Sequence, residues 1–134
     1  MAHGMRHRDI SDALNDTIYS INGGAIAVHE ELGPGVLESV YEVALGQELR
    51  DRGHIIETQI PVPLHYKGRD LDHSLRLDML VDSQVIVEVK AVEQVLPVHL
   101  AQVRSYLRLA NKPVGLLLNF KVPAMKDGWQ RVFP

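Results

Sequence analysis

Asp78, Glu88 and Lys90 are the residues of this chain whose types and spacing could do chemistry together. They fall on two runs of strand-like residues, 71–81 and 85–92, separated by the turn-forming Asp82-Ser83-Gln84. Side chains alternate between faces along a strand, so Asp78 shares a face with Arg76 and Leu80, and Glu88 shares one with Lys90. With 82–84 as the loop, Val81 pairs with Val85 and Asp78 stands opposite Glu88. Opposed residues hold their Cβ atoms ~4.5–5.5 Å apart. Two carboxylates at that separation repel unless one is protonated or a cation lies between them. Hard carboxylate oxygens suit Mg2+ or Mn2+, whose open positions take water and a phosphate oxygen. Lys90 adds a point charge on the same side, for the phosphate or for an attacking water.

The same residues also fit a plainer reading, cross-strand salt bridges on a solvated sheet face, each worth only ~0.2–1 kcal/mol. The run 85–92 weighs against it. Apart from Glu88 and Lys90 it is apolar, as expected of a central strand covered on both faces. Burying an ion there without a partner costs several kcal/mol, which makes a functional reason for the charges the stronger expectation.

Such residues need elements to hold them. Ile10, Leu14, Ile18, Ile21, Ala25, Val28 and Leu32 recur every three or four residues, which predicts an amphipathic helix despite Gly23-Gly24 in its middle. Gly33-Pro34-Gly35 ends it, and a second helix follows over about 37–52, closed by Gly53. From 56 to 66 the pattern has period two, with one face expected in the core and Pro61 and Pro63 confining the strand to a sheet edge or a bulge. Lys67-Gly68-Arg69-Asp70 is a turn, after which Leu71, His73, Leu75, Leu77, Met79 and Val81 form the apolar face of the next strand. Pro97 suits the first turn of a helix running to about Ala110, 114–120 is a buried strand, and the tail 129–134 could add a short edge strand. The chain therefore reads as one α/β domain over 1–134, with 1–9 expected to be flexible.

A chain of 134 residues can bury a real core as one domain. It has no cysteine, which excludes thiolate zinc sites, disulfides and thiol nucleophiles and fits a cytoplasmic location. No apolar run approaches the ~20 residues of a membrane span, and the polar, His-rich start lacks a signal peptide's apolar segment, so no membrane partner is expected. The net charge of −3 argues against electrostatic coating of nucleic acid. The charge is uneven: residues 1–60 carry 4 Lys/Arg and 10 Asp/Glu, and residues 61–134 carry 10 and 7, so the second half is compatible with a local phosphate-binding surface.

Asp78 followed by Glu88-x-Lys90 on a hairpin resembles the PD-(D/E)XK nuclease superfamily. Gly35-Val36-Leu37-Glu38-Ser39-Val40-Tyr41 is similar to the Gly-x-x-Glu-x-x-Tyr motif that names the GxxExxY family within it. His29-Glu30-Glu31-Leu32-Gly33-Pro34-Gly35, Tyr66-Lys67-Gly68, Pro97-Val98-His99 and Ala101-Gln102 look like that family too, and the resemblance covers about 18–132. It implies a core of helix, three strands, helix and strand around a central mixed four-stranded sheet, here with an extra N-terminal helix. It also implies Mg2+- or Mn2+-dependent phosphodiester hydrolysis with nucleic acid, DNA by preference, as partner. On the matching positions Asp78 and Glu88 become the metal-binding acids, joined by the backbone of Val89, and Lys90 the catalytic lysine. Glu38 corresponds to an additional helical acid, its plainer role being an exposed helix carboxylate, while Tyr41 reads as core packing. His29 has the position of an upstream metal-binding histidine, or of a hydrogen-bonded packing residue. Gln102 and Tyr106, four apart on one helix face, resemble the Gln-x-x-x-Tyr pair of RecB-like members, a spacing that also arises by chance. Arg76, Arg104 and Arg108 are candidates for phosphate contact by sequence position. His99 is a possible site neighbour, and His3, His7, His54, His65 and His73 are read as surface residues. Leu77 replaces the proline of the superfamily's name, which leaves the acid intact. Two other functions fit the same chain: a non-catalytic nuclease-fold module that binds nucleic acid or a protein, and a small subunit that needs a partner chain. A homodimer is a further possibility.

Overall fold

The structure, a computed structural model, describes residues 10–134. The expectations for residues 1–9, including His3 and His7, lie outside the described residues. Helix α1, Asp12–Leu32, begins where Ser11 Oγ accepts the Leu14 N–H at 3.1 Å. It ends at Gly33, whose φ of 73° turns the chain while its N–H still reaches the His29 carbonyl at 2.8 Å. The glycine pair inside α1 is where helix α2, Glu38–Asp51, packs closest. A Cβ on Gly24 would stand 2.8 Å from Leu49 Cδ2, and one on Gly23 2.9 Å from Arg52 Nη1. Of the two residues that weaken the helix locally, Gly24 meets the buried Leu49, whereas Gly23 meets the movable end of Arg52.

Strands β1 (Ile56–Tyr66), β2 (Arg69–Val81), β3 (Val85–Lys90), β4 (Val114–Asn119) and β5 (Trp129–Val132) form one sheet in the order β1-β2-β3-β4-β5. Neighbours are antiparallel except β3 and β4, which run parallel and are joined through helix α3, Pro97–Ala110. The two helical layers sort the side chains of the central strands. Val85, Val87, Val89, Leu116 and Leu118 pack with α1 and α2, while Ile86 and Leu117 pack with Val103 and Leu107 of α3. Coverage on both faces is why β3 and β4 read as near-continuous apolar runs. The tail supplies a fifth strand beside the four of the expected core, pairing from Gly115↔Val132 to Leu118↔Trp129. Among the described residues no helix is long and apolar enough to cross a membrane.

Two expectations are corrected. As expected, β1 is an edge strand, and its register shifts between Pro63 and His65. Its presumed core face, however, is mostly open: Ile56 is buried, Ile60, Val62 and Leu64 are half-buried, and on β2 both Leu71 and His73 are exposed. The hairpin runs past the helices, so alternation persists where no layer covers it. At its tip the Lys67 ammonium lies 5.4 Å from the Tyr66 ring centroid.

His54 is a half-buried bridge rather than a surface residue. Its Nδ1 is 2.7 Å from Asp82 Oδ2 and its Nε2 is 2.8 Å from Ser20 Oγ, while Asp82 Oδ1 accepts the Ile55 N–H at 2.8 Å. Ser20 lies within α1, where backbone N–H groups are already taken by helical bonds, so this chain of contacts acts as a brace. It ties α1 and the approach to β1 to the turn that sets the β2–β3 register. His54→Ala leaves Asp82 and Ser20 without this partner and is expected to cost about 1–3 kcal/mol. The expected readout is a lower urea midpoint with an unchanged slope.

Candidate active site

The β2–β3 ladder pairs Val81↔Val85, Leu80↔Ile86 and Met79↔Val87, the register that the spacing predicts. It then stops one step short of Asp78 and Glu88, where side chains take over from backbone carbonyls. The Val89 N–H donates to Asp78 Oδ2 at 3.1 Å, and the Asp78 N–H donates to Glu88 Oε1 at 3.3 Å. Each acid thereby uses one oxygen on the opposite strand and keeps the other for a shared proton or a cation. On its other side β3 is held by the parallel ladder to β4, through Glu88↔Leu117, Val89↔Leu118 and Lys90↔Asn119.

Glu88 is only 5% exposed, and its carboxyl is pushed up to about 8. Burial is the largest cause, followed by the charge of Asp78; the Asp78 N–H and the Lys90 ammonium act in the opposite direction. Near neutral pH the buried carboxyl therefore holds a proton, which a divalent cation between the two acids would replace. Lys90 is half-buried and makes no ion pair within 4 Å among the described residues. Its carbonyl accepts the Phe120 N–H at 2.8 Å, which anchors the strand end that carries it.

Helix α2 brings further acids. Glu38 is its first residue, and Glu38 Oε2 accepts the Ala91 N–H at 3.1 Å, one residue past Lys90. Tyr41 sets that geometry. Its ring is buried and stacks on Phe120 at 4.4 Å between centroids, and its hydroxyl donates to the Gly33 carbonyl and accepts the Val36 N–H. It clamps the turn before α2, so within Gly35-x-x-Glu38-x-x-Tyr41 the tyrosine positions and the glutamate reaches the end of β3. Glu42, which the sequence reading passed over, sits one turn further along α2. Burial raises its pKa, the Gln59 amide opposes, and the charges of Asp78 and Glu38 raise it further, which puts it in the field of the same cluster. The signal was available, since residues four apart share a helix face.

On the other side of the sheet, Tyr106 of α3 has its phenol pushed up by burial and then by the charges of Glu88 and Asp78. Gln102 lines an open groove of about 580 Å³ together with Lys90, His99 and Ser105. The expected Gln102/Tyr106 pair thus flanks the acids and the lysine. His99 Nδ1 accepts the Leu96 N–H at 2.9 Å and closes the first turn of α3. Arg76, exposed and two residues from Asp78, donates from Nη1 to the Gln59 carbonyl at 3.1 Å.

Three expected residues are not gathered in. Arg104 lines a different groove, with Trp129, because two residues along a helix turn the side chain by ~200°. Arg108 Nη2 donates to Ser105 Oγ at 3.2 Å. His29 is buried with Nε2 2.7 Å from the Val122 carbonyl, which matches the packing reading. Among the described residues no three His, Cys, Asp or Glu side chains assemble as a ligand group, so neither His29 nor Glu38 completes one around Asp78 and Glu88. Two hard carboxylates still fit Mg2+, which is commonly held by one or two protein carboxylates plus water and substrate phosphate.

Comparison with curated proteins and with solved structures gives no match. The family model of the PD-(D/E)XK nuclease superfamily matches residues 15–132, a span that contains every acid described above, Lys90, and the mixed sheet that carries them. The chain belongs to the PD-(D/E)XK nuclease superfamily.

Proposed function

We propose that the protein is a Mg2+- or Mn2+-dependent nuclease that hydrolyses phosphodiester bonds, in DNA by preference. The observation that carries this reading is the parting of β2 and β3 at a carboxylate pair, Glu88 buried and Asp78 half-buried, with an unpaired lysine beside it. Within the superfamily, Gly35, Glu38 and Tyr41 support assignment to the GxxExxY proteins. Asp78, Glu88 and the backbone of Val89 would hold the ion, which would supply Lewis acidity and lower the pKa of bound water. Lys90 orients the attacking water and stabilises negative charge growing on the phosphate. Glu38 accepts hydrogen bonds from water on the α2 side. Gln102 and Tyr106 line the substrate side, and Arg76 contacts a neighbouring phosphate.

The test incubates purified protein with single- and double-stranded DNA and RNA in Mg2+, Mn2+ or EDTA. Cleavage in either metal and none in EDTA is expected. Cleavage that persists in EDTA overturns the metal-dependent mechanism. A folded protein that cuts no substrate in either metal leaves the non-catalytic binding module, a reading that the net charge of −3 favours, and the subunit that needs a partner chain; Mn2+ binding to that protein argues against the module.

A further inference from the structure

We propose that the groove along α3 holds the phosphodiester next to the scissile one, and that the His99 Nε2–H donates to its oxygen. The proposal rests on the nuclease reading for the identity of the ligand and adds to it a place for the neighbouring phosphate. The groove, of about 580 Å³, opens beside Lys90, which forms one of its walls. Val98, His99, Ala101, Gln102 and Ser105 of α3 form the rest, and none of them is acidic. A strand whose scissile phosphate meets Asp78, Glu88 and Lys90 thus finds hydrogen-bond donors one step further along.

The state of each donor follows from its partners. His99 is the third residue of α3 and half-buried, and its Nδ1 accepts the Leu96 N–H at 2.9 Å. A backbone N–H can only donate, so Nδ1 carries no proton and the neutral ring holds its proton on Nε2. The Leu96 carbonyl in turn accepts the His99 N–H at 2.9 Å, a reciprocal pair that fixes the residue on both sides. Nε2 has no partner among the described residues and is the ring nitrogen left for the groove.

The other donors are set in the same way. Ser105 Oγ accepts from Arg108 Nη2 at 3.2 Å, which leaves its hydroxyl proton for another acceptor. Gln102 is exposed, and its amide has no partner among the described residues. An ammonium, an imidazole N–H, a hydroxyl and an amide together suit an anionic oxygen. A divalent cation finds no carboxylate among these residues. The neutral Nε2–H binds an oxygen without giving up its proton, so His99 is a binding residue and not a general acid.

Three substitutions separate the outward donor from the helix cap. His99→Gln keeps both, because a glutamine here can accept the Leu96 N–H through Oε1 and donate from Nε2. His99→Glu keeps the cap and replaces the donor by an acceptor. His99→Met removes cap and donor and adds no charge. Val103 and Leu107 anchor α3 in the core, so all three variants are expected to fold.

The experiment measures the fluorescence anisotropy of labelled single-stranded and duplex DNA of about 12 nucleotides with the four proteins, in EDTA at low salt. Wild type and His99→Gln are expected to bind alike. His99→Glu and His99→Met are expected to bind about tenfold more weakly, the loss of a hydrogen bond to a charged group. Weakening in His99→Met alone assigns the residue to the cap, weakening in His99→Glu alone assigns the effect to charge, and either overturns the subsite. So do weak binding by His99→Gln, equal binding by all four proteins, and no binding of either DNA by the wild type. The two readings fail separately. The expected binding pattern without metal-dependent cleavage removes the nuclease and keeps the subsite; cleavage with one KM in all four proteins does the reverse.

Discussion

Lys90→Ala is expected to lower the rate of phosphodiester cleavage by about 10²–10⁴-fold, the range for a lost proton-transfer or charge-stabilising group. The fold and Mn2+ binding are expected to survive. Lys90 stands at the last position of β3, half-buried, with its backbone anchored through Phe120 and its ammonium in no ion pair among the described residues. Truncation therefore breaks no structural pair, and the loss falls on the reaction. It also removes a charge that holds the Glu88 pKa down, so residual activity should rise with pH later than in the wild type. Initial rates across pH, beside a Mn2+ titration of the same variant, check both parts. A variant as fast as the wild type removes Lys90 from the mechanism.

Glu88→Gln is expected to do the opposite to stability. The Glu88 carboxyl has a folded-state pKa of about 8 against the ordinary glutamate value of 4.5. Between those values the folded chain binds a proton that the unfolded chain has lost, so metal-free stability falls as pH rises. Below the lower value both states are protonated and the effect vanishes; above the upper one the full cost of a buried charge facing Asp78 remains. Glutamine keeps the shape and an acceptor for the Asp78 N–H but never ionises. At about pH 8.5 the variant should exceed the wild type by a few kcal/mol, on the order of 10 °C in Tm, and near pH 4.5 the two should converge. Added Mn2+ should raise the Tm of the wild type, more at high pH than at low pH, and leave the variant unmoved. Parallel Tm-against-pH curves contradict the buried, raised carboxyl.

Much of this was legible because it depends on local periodicity. The 3.6-residue stripe of α1, the two prolines of β1 and the turn at 82–84 sufficed for element order and for the register that sets Asp78 opposite Glu88. Alternation could not say where the helical layers end, and so it credited Leu71 with burial that the projecting hairpin does not provide, while His73 is exposed as its reading as a surface residue had it. Contacts between distant segments carried no local signal: His29 with Val122, and His54 with Ser20 and Asp82. Two features were readable and passed over. Glu42 follows Glu38 by one helical turn, and Arg104, two residues from Gln102, had to face away from it.

The central claim is that the opening in the β2–β3 ladder is a cation site. Titration calorimetry with Mn2+ at about pH 8, on the wild type, Asp78→Asn and Glu88→Gln, tests it most directly, because it needs neither substrate nor turnover. The account predicts saturable binding with proton release in the wild type and loss of that binding in both variants. Equal binding in all three proteins, or none in a folded wild type, contradicts it.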